Sequence, residues 1–292
     1  MKTVRDIATL REIVEGWRQV GDTIALVPTM GNLHQGHMSL VQLASECAER
    51  IVVSIYVNPA QFGPSEDFEN YPRTFENDRR RLSRAGVDIM FAPDSDEMYP
   101  FGQARMTRVS VPGLSQILCG NDRPEHFDGV TSVVSRLFNI TQPDVAIFGQ
   151  KDYQQLVIIR RMAADLHVPV RILAGPTFRN KDGLAMSSRN RYLSDDERLL
   201  APVLHRTIGD CRDWILGGDR DYAKLEAAGM AALADAGLEP QYVAIRKAGD
   251  LSMPEPKSDY LVVLAAARLG PTRLIDNVLI EPAHSARMAA LK

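Results

Sequence analysis

Two of the chain's six histidines, His34 and His37, stand three residues apart in PTMGNLHQGHMSLV, residues 28–41. This stretch begins like the end of a buried strand and finishes like an amphipathic helix. Spacing of i, i+3 puts both imidazoles on one helix face. Free backbone N–H groups at a helix N-terminus attract an anion, and Gly31 and Gly36 let a ligand approach the main chain closely. Three readings suit the pair: an anion site, a polar turn in which one histidine caps the helix, and a zinc pair. The last is weakened by the lack of a nearby third ligand.

Other segments carry groups of related chemistry. In FGQKDYQQL (148–156) a strand again runs through a glycine turn into a helix. Lys151 there is either a point charge for a phosphate or a solvated loop lysine. Asp152 is either a helix N-cap or a nucleotide ligand, and Gln155 lies one turn further along. DGLAMSSRNRYLS (182–194) places two hydroxyls, Ser187 and Ser188, beside the forked cation of Arg189, which suits a phosphate; a bland serine–arginine loop is the alternative. In IYVNPAQFGPSEDFENYPRTFENDRRRL (55–82) a strand ends at Asn58–Pro59, and a long polar loop with Gln61, Phe62 and Tyr71 follows. The charged run ENDRRRLSR reads as a solvated helix face. CGNDRPEHFDGV (119–130) sets Arg123 and His126 before a helix, and that cation suits a carboxylate.

The elements that must position these groups fall into two patterns. Short runs rich in Val and Ile (23–29, 50–58, 87–93, 144–149 and 168–175) predict strands apolar on both faces. They alternate with helical patterns at 38–50, 74–86, 129–141 and 153–167. Strand–helix–strand repetition predicts an α/β doubly wound parallel sheet, Rossmann-like, with ligands beyond the C-terminal strand ends. Three of the candidate segments follow strands of that sheet, which favours the phosphate reading for the set over the bland reading of each. After about residue 177 two helices (194–218 and 221–237) precede strands at 241–248, 259–270 and 272–280, predicting a smaller α+β domain. The expected domains are therefore 1–177 and 178–292.

Composition narrows the classes. The chain has 292 residues, a formal net charge of −3, 45% hydrophobic and 24% charged residues, values ordinary for a globular protein. No basic tract suits a nucleic acid backbone, and no stretch approaches a membrane-spanning length. Cys47, Cys119 and Cys211 are too dispersed for a disulfide framework or a zinc site. Free thiols and an N-terminus without a signal-like apolar region point to the cytoplasm.

The blocks PTMGNLHQGH, YVNPAQFGPSEDFENYPR, RPEHFDGVTSVVSRLFNI, FGQKDYQQL and DGLAMSSRNRYLS, in that order, resemble the pantothenate synthetases (pantoate–β-alanine ligases) of the nucleotidylyl transferase superfamily. The resemblance implies a homodimeric enzyme that makes pantothenate from pantoate, β-alanine and ATP, with magnesium. It implies that His34 and His37 lie on the ATP phosphates, with His37 as proton donor, and that Lys151 and Ser187–Ser188–Arg189 hold the phosphates from the other side. The nucleotide site would take Met30, Gly31, Asn32, Leu33, Gln35 and Gly36 from the first turn. Gly149, Gln150 and Asp152 would come from the second, and Phe178 and Met186 from the last segment. Gln61, Gln155 and Arg123 would hold the organic substrates, and the C-terminal domain would act as a lid. The chain departs from the family's pattern at Phe178, Asn180 and Glu125, the last replacing a glycine. Two alternatives are a nucleotidylyltransferase, whose product keeps the nucleotide, and a non-catalytic nucleotide-binding module.

Overall fold

The computed structural model describes residues 1–64 and 66–281. Contacts divide the chain into two compact units. The first is Met1–Gln150 with Ile158–Phe178; the second is Lys151–Val157 with the chain from Arg179 onward.

In chain order the elements up to the second crossing are β1 (Lys2–Val4), α1 (Ile7–Gln19), β2 (Ile24–Thr29), α2 (Gln35–Ser45), β3 (Arg50–Ile55), α3 (Phe75–Arg84), β4 (Ile89–Phe91), α4 (Ser95–Met98), α5 (Cys119–Asp122), α6 (His126–Thr141), β5 (Val145–Gly149), α7 (Tyr153–Asp165) and β6 (Arg171–Gly175). The strands form one six-stranded sheet in the order β1-β4-β3-β2-β5-β6, and every pairing is parallel. This is the doubly wound architecture expected from the alternating pattern. Ile24, Ala25, Leu26 and Val27 have no exposed surface at all, as a central strand covered on both faces requires. Strand β1 escapes a periodicity reading because three residues carry no usable period. Helix α6 begins at His126, three residues ahead of the expected start.

One local feature opens the sheet toward the C-terminal ends of its central strands. Strand β2 pairs with β3 along its whole length, Ile24 to Thr29. With β5 it pairs only at Ala25↔Val145 and Leu26↔Ala146. Beyond Leu26 the two strands part, and Pro28 brings no N–H to the ladder there. Strands β2 and β5 also flank the reversal of strand order, the topological switch point of a doubly wound sheet.

The second unit contains α8 (Asp195–Leu200), α9 (Val203–Leu216), α10 (Tyr222–Asp235), β7 (Glu239–Lys247), β8 (Leu261–Leu269) and β9 (Thr272–Ile280). The three strands form an antiparallel sheet in chain order. The single helix expected over 194–218 is two. Ser194 caps α8 by accepting the Glu197 N–H at 3.2 Å, and Glu197 accepts the Ser194 N–H at 2.8 Å. Pro202 then interrupts, because it lacks a donor and its ring crowds the preceding turn. Leu204, Ile208, Cys211 and Ile215 repeat at helical spacing and pack with Val263, Ala265 and Ala267 of β8. Burial pushes the Cys211 thiol up to about 11, so this cysteine acts as a core residue.

Candidate active site

The turn after β2 is built before its histidines are placed. The Thr29 hydroxyl donates to the Ser54 carbonyl at 2.7 Å and accepts the Gly31 N–H at 3.1 Å. Gly31 (φ 80°) and Asn32 (φ 49°) then both enter the left-handed region, where glycine is at ease and asparagine is tolerated. A Cβ on Gly31 would stand 3.1 Å from Ile55 Cγ2 and 3.2 Å from Asp78 Oδ2. Asp78, from α3, is the anchor: its carboxylate accepts the Asn32 N–H at 2.9 Å and the Leu33 N–H at 2.8 Å. It also takes the Thr74 hydroxyl at 3.1 Å.

Asp78 corrects the reading of ENDRRRLSR as a wholly solvated face. Asp78 and Leu82 are both fully buried, one turn apart on the inward face of α3. Local sequence offers no sign that an aspartate in a charged run will point inward, since its partners are backbone amides 45 or 46 residues away. Replacing Asp78 with alanine leaves two backbone donors without their acceptor. We expect a loss of roughly 2–3 kcal/mol of stability, measurable by denaturant unfolding, together with loss of turnover. A variant as stable and active as the parent removes Asp78 from this role.

His34 is the N-cap of α2 and His37 lies three residues on. The His34 N–H donates to His37 Nδ1 at 3.2 Å. A backbone amide can only donate, so Nδ1 must present its lone pair, and the ring proton sits on Nε2. The rings lie with centroids 4.0 Å apart and planes 33° apart. A Cβ on Gly36 would come within 3.0 Å of His34 Cε1 and 3.5 Å of the Phe178 Cβ, so a bare backbone is what lets the His34 ring settle there. His34 takes the N-cap position, and the pair sits at the positive end of the helix, where an anion is favoured.

The loop after β3 is held from below. Asn58, fully buried, donates to the Gly129 carbonyl at 3.2 Å and to Gln61 Oε1 at 3.1 Å. It accepts the Tyr99 hydroxyl at 2.7 Å. A Cβ on Gly129 would fall 2.0 Å from the Ala60 carbonyl oxygen, so α6 and this loop meet only through a glycine. The Gln61 carbonyl lies 2.7 Å from His126 Nδ1 and accepts Arg123 Nη2 at 3.3 Å. Arg123 spends its fork on Glu66, at 2.7 and 2.6 Å. Burial would raise the Glu66 carboxyl, but the Arg123 hydrogen bonds outweigh it and hold the group low. Arg123 therefore braces the Gln61 loop, and a substrate carboxylate would have to displace Glu66 to reach it. Glu125 sits at φ 66°. That is the left-handed conformation glycine adopts without cost, and its side chain meets Arg108 at 3.1 Å.

In the second unit, Lys151 lies in the 3-10 turn Gln150–Asp152, two residues past β5, and its carbonyl accepts the Asn277 side-chain amide at 2.9 Å. Ser187 caps the turn Ser188–Tyr192 by accepting the Arg189 N–H at 3.3 Å. Lys151 and Ser187 line one cleft with Asn190, His205, Arg273 and Asp276. Two segments 36 residues apart in sequence thus share a wall. Met186 and Gln155 are half-buried, while Asp152 is exposed.

Asp276, 2% exposed at its side chain, was not among the expected residues. Burial would raise its carboxyl, but the His205 ring 3.5 Å away and the Arg179 guanidinium outweigh it and keep it below the ordinary carboxylate value. A carboxyl lowered in the folded state adds stability above its unfolded pKa and loses that contribution as pH falls through the folded one. We expect the melting-temperature gap between the parent and Asp276→Asn to be widest at neutral pH and to close below about pH 4. A gap that does not depend on pH contradicts this assignment.

A histidine pair at the switch point of a doubly wound sheet in the first unit, and a lysine and a serine lining one cleft of the second, fit a class: α/β enzymes that handle nucleotide phosphates. Comparison with known proteins narrows it. A sequence profile described as Pantoate-beta-alanine ligase matches residues 2–279, and the chain belongs to that family. It is 55% identical over 286 residues to the pantothenate synthetase of Stutzerimonas stutzeri (strain A1501), covering 98% of this chain and all of that one. The pantothenate synthetase of Azotobacter vinelandii is 50% identical over 281 residues, 96% of this chain and 99% of that one. Among solved structures, pantothenate synthetase from Thermus thermophilus superposes with a TM-score of 0.88 at 44% identity, over 97% of this chain and 100% of that one. Pantoate-beta-alanine ligase from Francisella tularensis, complexed with beta-gamma ATP and beta-alanine, gives 0.78 at 31% identity, over 96% and 97%.

Proposed function

We propose the following division of labour for the ATP-dependent condensation of (R)-pantoate with β-alanine. In the first step a pantoate carboxylate oxygen bonds to the α-phosphorus of ATP, the bond to the β-phosphate bridging oxygen breaks, and pyrophosphate leaves. The nucleophile belongs to the substrate, so the protein contributes positioning and positive charge. His34 and His37 serve the phosphates, His37 through its Nε2–H. The His34 amide, 3.2 Å from His37 Nδ1, is the observation that carries this reading. Lys151, Ser187, Ser188 and Arg189 serve the same phosphates. Backbone of Met30–Gly36, Gly149–Asp152, Phe178 and Met186 takes the nucleotide. Gln61 and Gln155 take pantoate, with Arg123 bracing the Gln61 loop.

In the second step the β-alanine amine attacks the acyl carbon. The C–N bond forms, the C–O bond to AMP breaks, AMP leaves, and the amine proton passes to solvent. Magnesium enters on the phosphate oxygens of ATP, as part of the substrate, and offsets charge there. Among the described residues no group of three His, Cys, Asp or Glu could hold a metal. Among them too, no helix is long and apolar enough to cross a membrane. We further propose a cytoplasmic homodimer assembled through the first unit, which sedimentation at micromolar concentration tests directly.

The deciding experiment for the reaction is a product ledger. With ATP and pantoate alone, pyrophosphate should appear to about one equivalent per active chain, without free AMP; AMP and pantothenate should follow β-alanine addition. A dinucleotide product that β-alanine does not consume would favour a nucleotidylyltransferase and defeat this reading, and sustained release of free AMP without β-alanine would defeat it as well.

A further inference from the structure

We propose that Asp276 and Asn277, neighbours on β9, are positioning residues for adenylate formation, one for each phosphate-handling segment of the second unit. The proposal rests on the roles given above to Lys151 and to Ser187–Arg189.

Neighbours on a strand point to opposite faces, and this pair uses both. Asn277, 2% exposed, donates its side-chain amide to the Lys151 carbonyl at 2.9 Å. Asp276 takes Arg179 in a two-point grip, at 2.6 and 2.9 Å. Arg179 in turn donates to the Gly183 carbonyl at 3.0 Å. That contact closes a tight hairpin, with Asn180 N–H to the Leu184 carbonyl at 2.9 Å and a bridge between Arg179 and Ala185. Ala185 leads directly into Ser187–Arg189, and its carbonyl accepts the Asn190 side chain at 3.0 Å. Gly183, at φ 92°, has His205 Cδ2 2.7 Å from where a Cβ would be, so the hairpin lies against α9. The Asn277 N–H also donates to Asp276 Oδ1, at 2.7 Å.

Both residues sit in register with the buried middle strand, Asp276 opposite Ala265 and Asn277 opposite Leu264. A sheet selected for stability alone does better with apolar residues here, because buried ionic groups lose hydration. What the polar pair adds is fixed geometry. Lys151 sits just past β5, on a short turn, and its carbonyl tether limits where the ammonium can reach.

The test uses rate coupling, which a merely structural role would not produce. In single-turnover pyrophosphate release from ATP and pantoate, Asn277→Ala should lower the rate about ten- to a hundredfold, the range for a displaced catalytic group, with KM for pantoate unchanged. Asn277 acts through Lys151, so adding Asn277→Ala to Lys151→Ala should cost nothing more. The isosteric Asp276→Asn, which preserves shape should Asn277→Ala fold poorly, should stay additive with Lys151→Ala and be non-additive with Arg189→Ala. Losses that multiply in every pair overturn the proposal. If Lys151→Ala alone leaves the rate unchanged, the reading of Lys151 itself has failed, an outcome distinct from additivity.

Discussion

Alanine in place of His37 should slow adenylate formation by about two to three orders of magnitude, the effect of removing one preorganised donor to developing negative charge. The expectation follows from the tautomer. Because the His34 amide donates to His37 Nδ1 at 3.2 Å, the opposite ring nitrogen is the one with a hydrogen to give. That donor is aimed by a helix start and by Asp78 beneath it, so it needs little reorganisation when charge moves onto the departing pyrophosphate. Single-turnover release of pyrophosphate, in the absence of β-alanine, isolates this step from amide formation. A rate within tenfold of the parent would show that the imidazole is a cap and nothing more.

Removal of the Lys151 ammonium is the second large effect. Lys151→Ala should lose roughly two or more orders of magnitude in the same measurement. How the loss divides is informative: a fall in kcat means the ammonium meets charge that exists only in the transition state, whereas a rise in KM for ATP alone means it holds the ground state. Lys151→Arg should restore little, since a planar fork on a stem of different length cannot reproduce a compact point charge held by its own carbonyl. An unchanged rate would remove Lys151 from the mechanism.

The motifs that could be read from sequence share one property: their chemistry and their backbone context are local. A strand, a glycine turn and a helix start follow one another within PTMGNLHQGHMSLV, and the same order recurs at FGQKDYQQL. Hydrophobic runs apolar on both faces were enough for a doubly wound sheet. The break at Pro202 was just as local, but the helical period on either side of it masked it. Arg123 shows the limit of reading a residue type alone. Its fork suits a substrate carboxylate, but Glu66, 57 positions away, occupies it.

By itself, then, the sequence determined the parallel sheet, the smaller α+β part, the family's motifs and the candidate groups within them, because these depend on periodicity and on residues adjacent in the chain. Only the tertiary structure decided how those groups are aimed. The parting of β2 from β5, the two backbone amides held by Asp78 and the tether from Asn277 to Lys151 all join residues far apart in sequence. A hydrogen bond has direction and a range of about 3 Å, and no property of either partner's own segment announces that the other will arrive there.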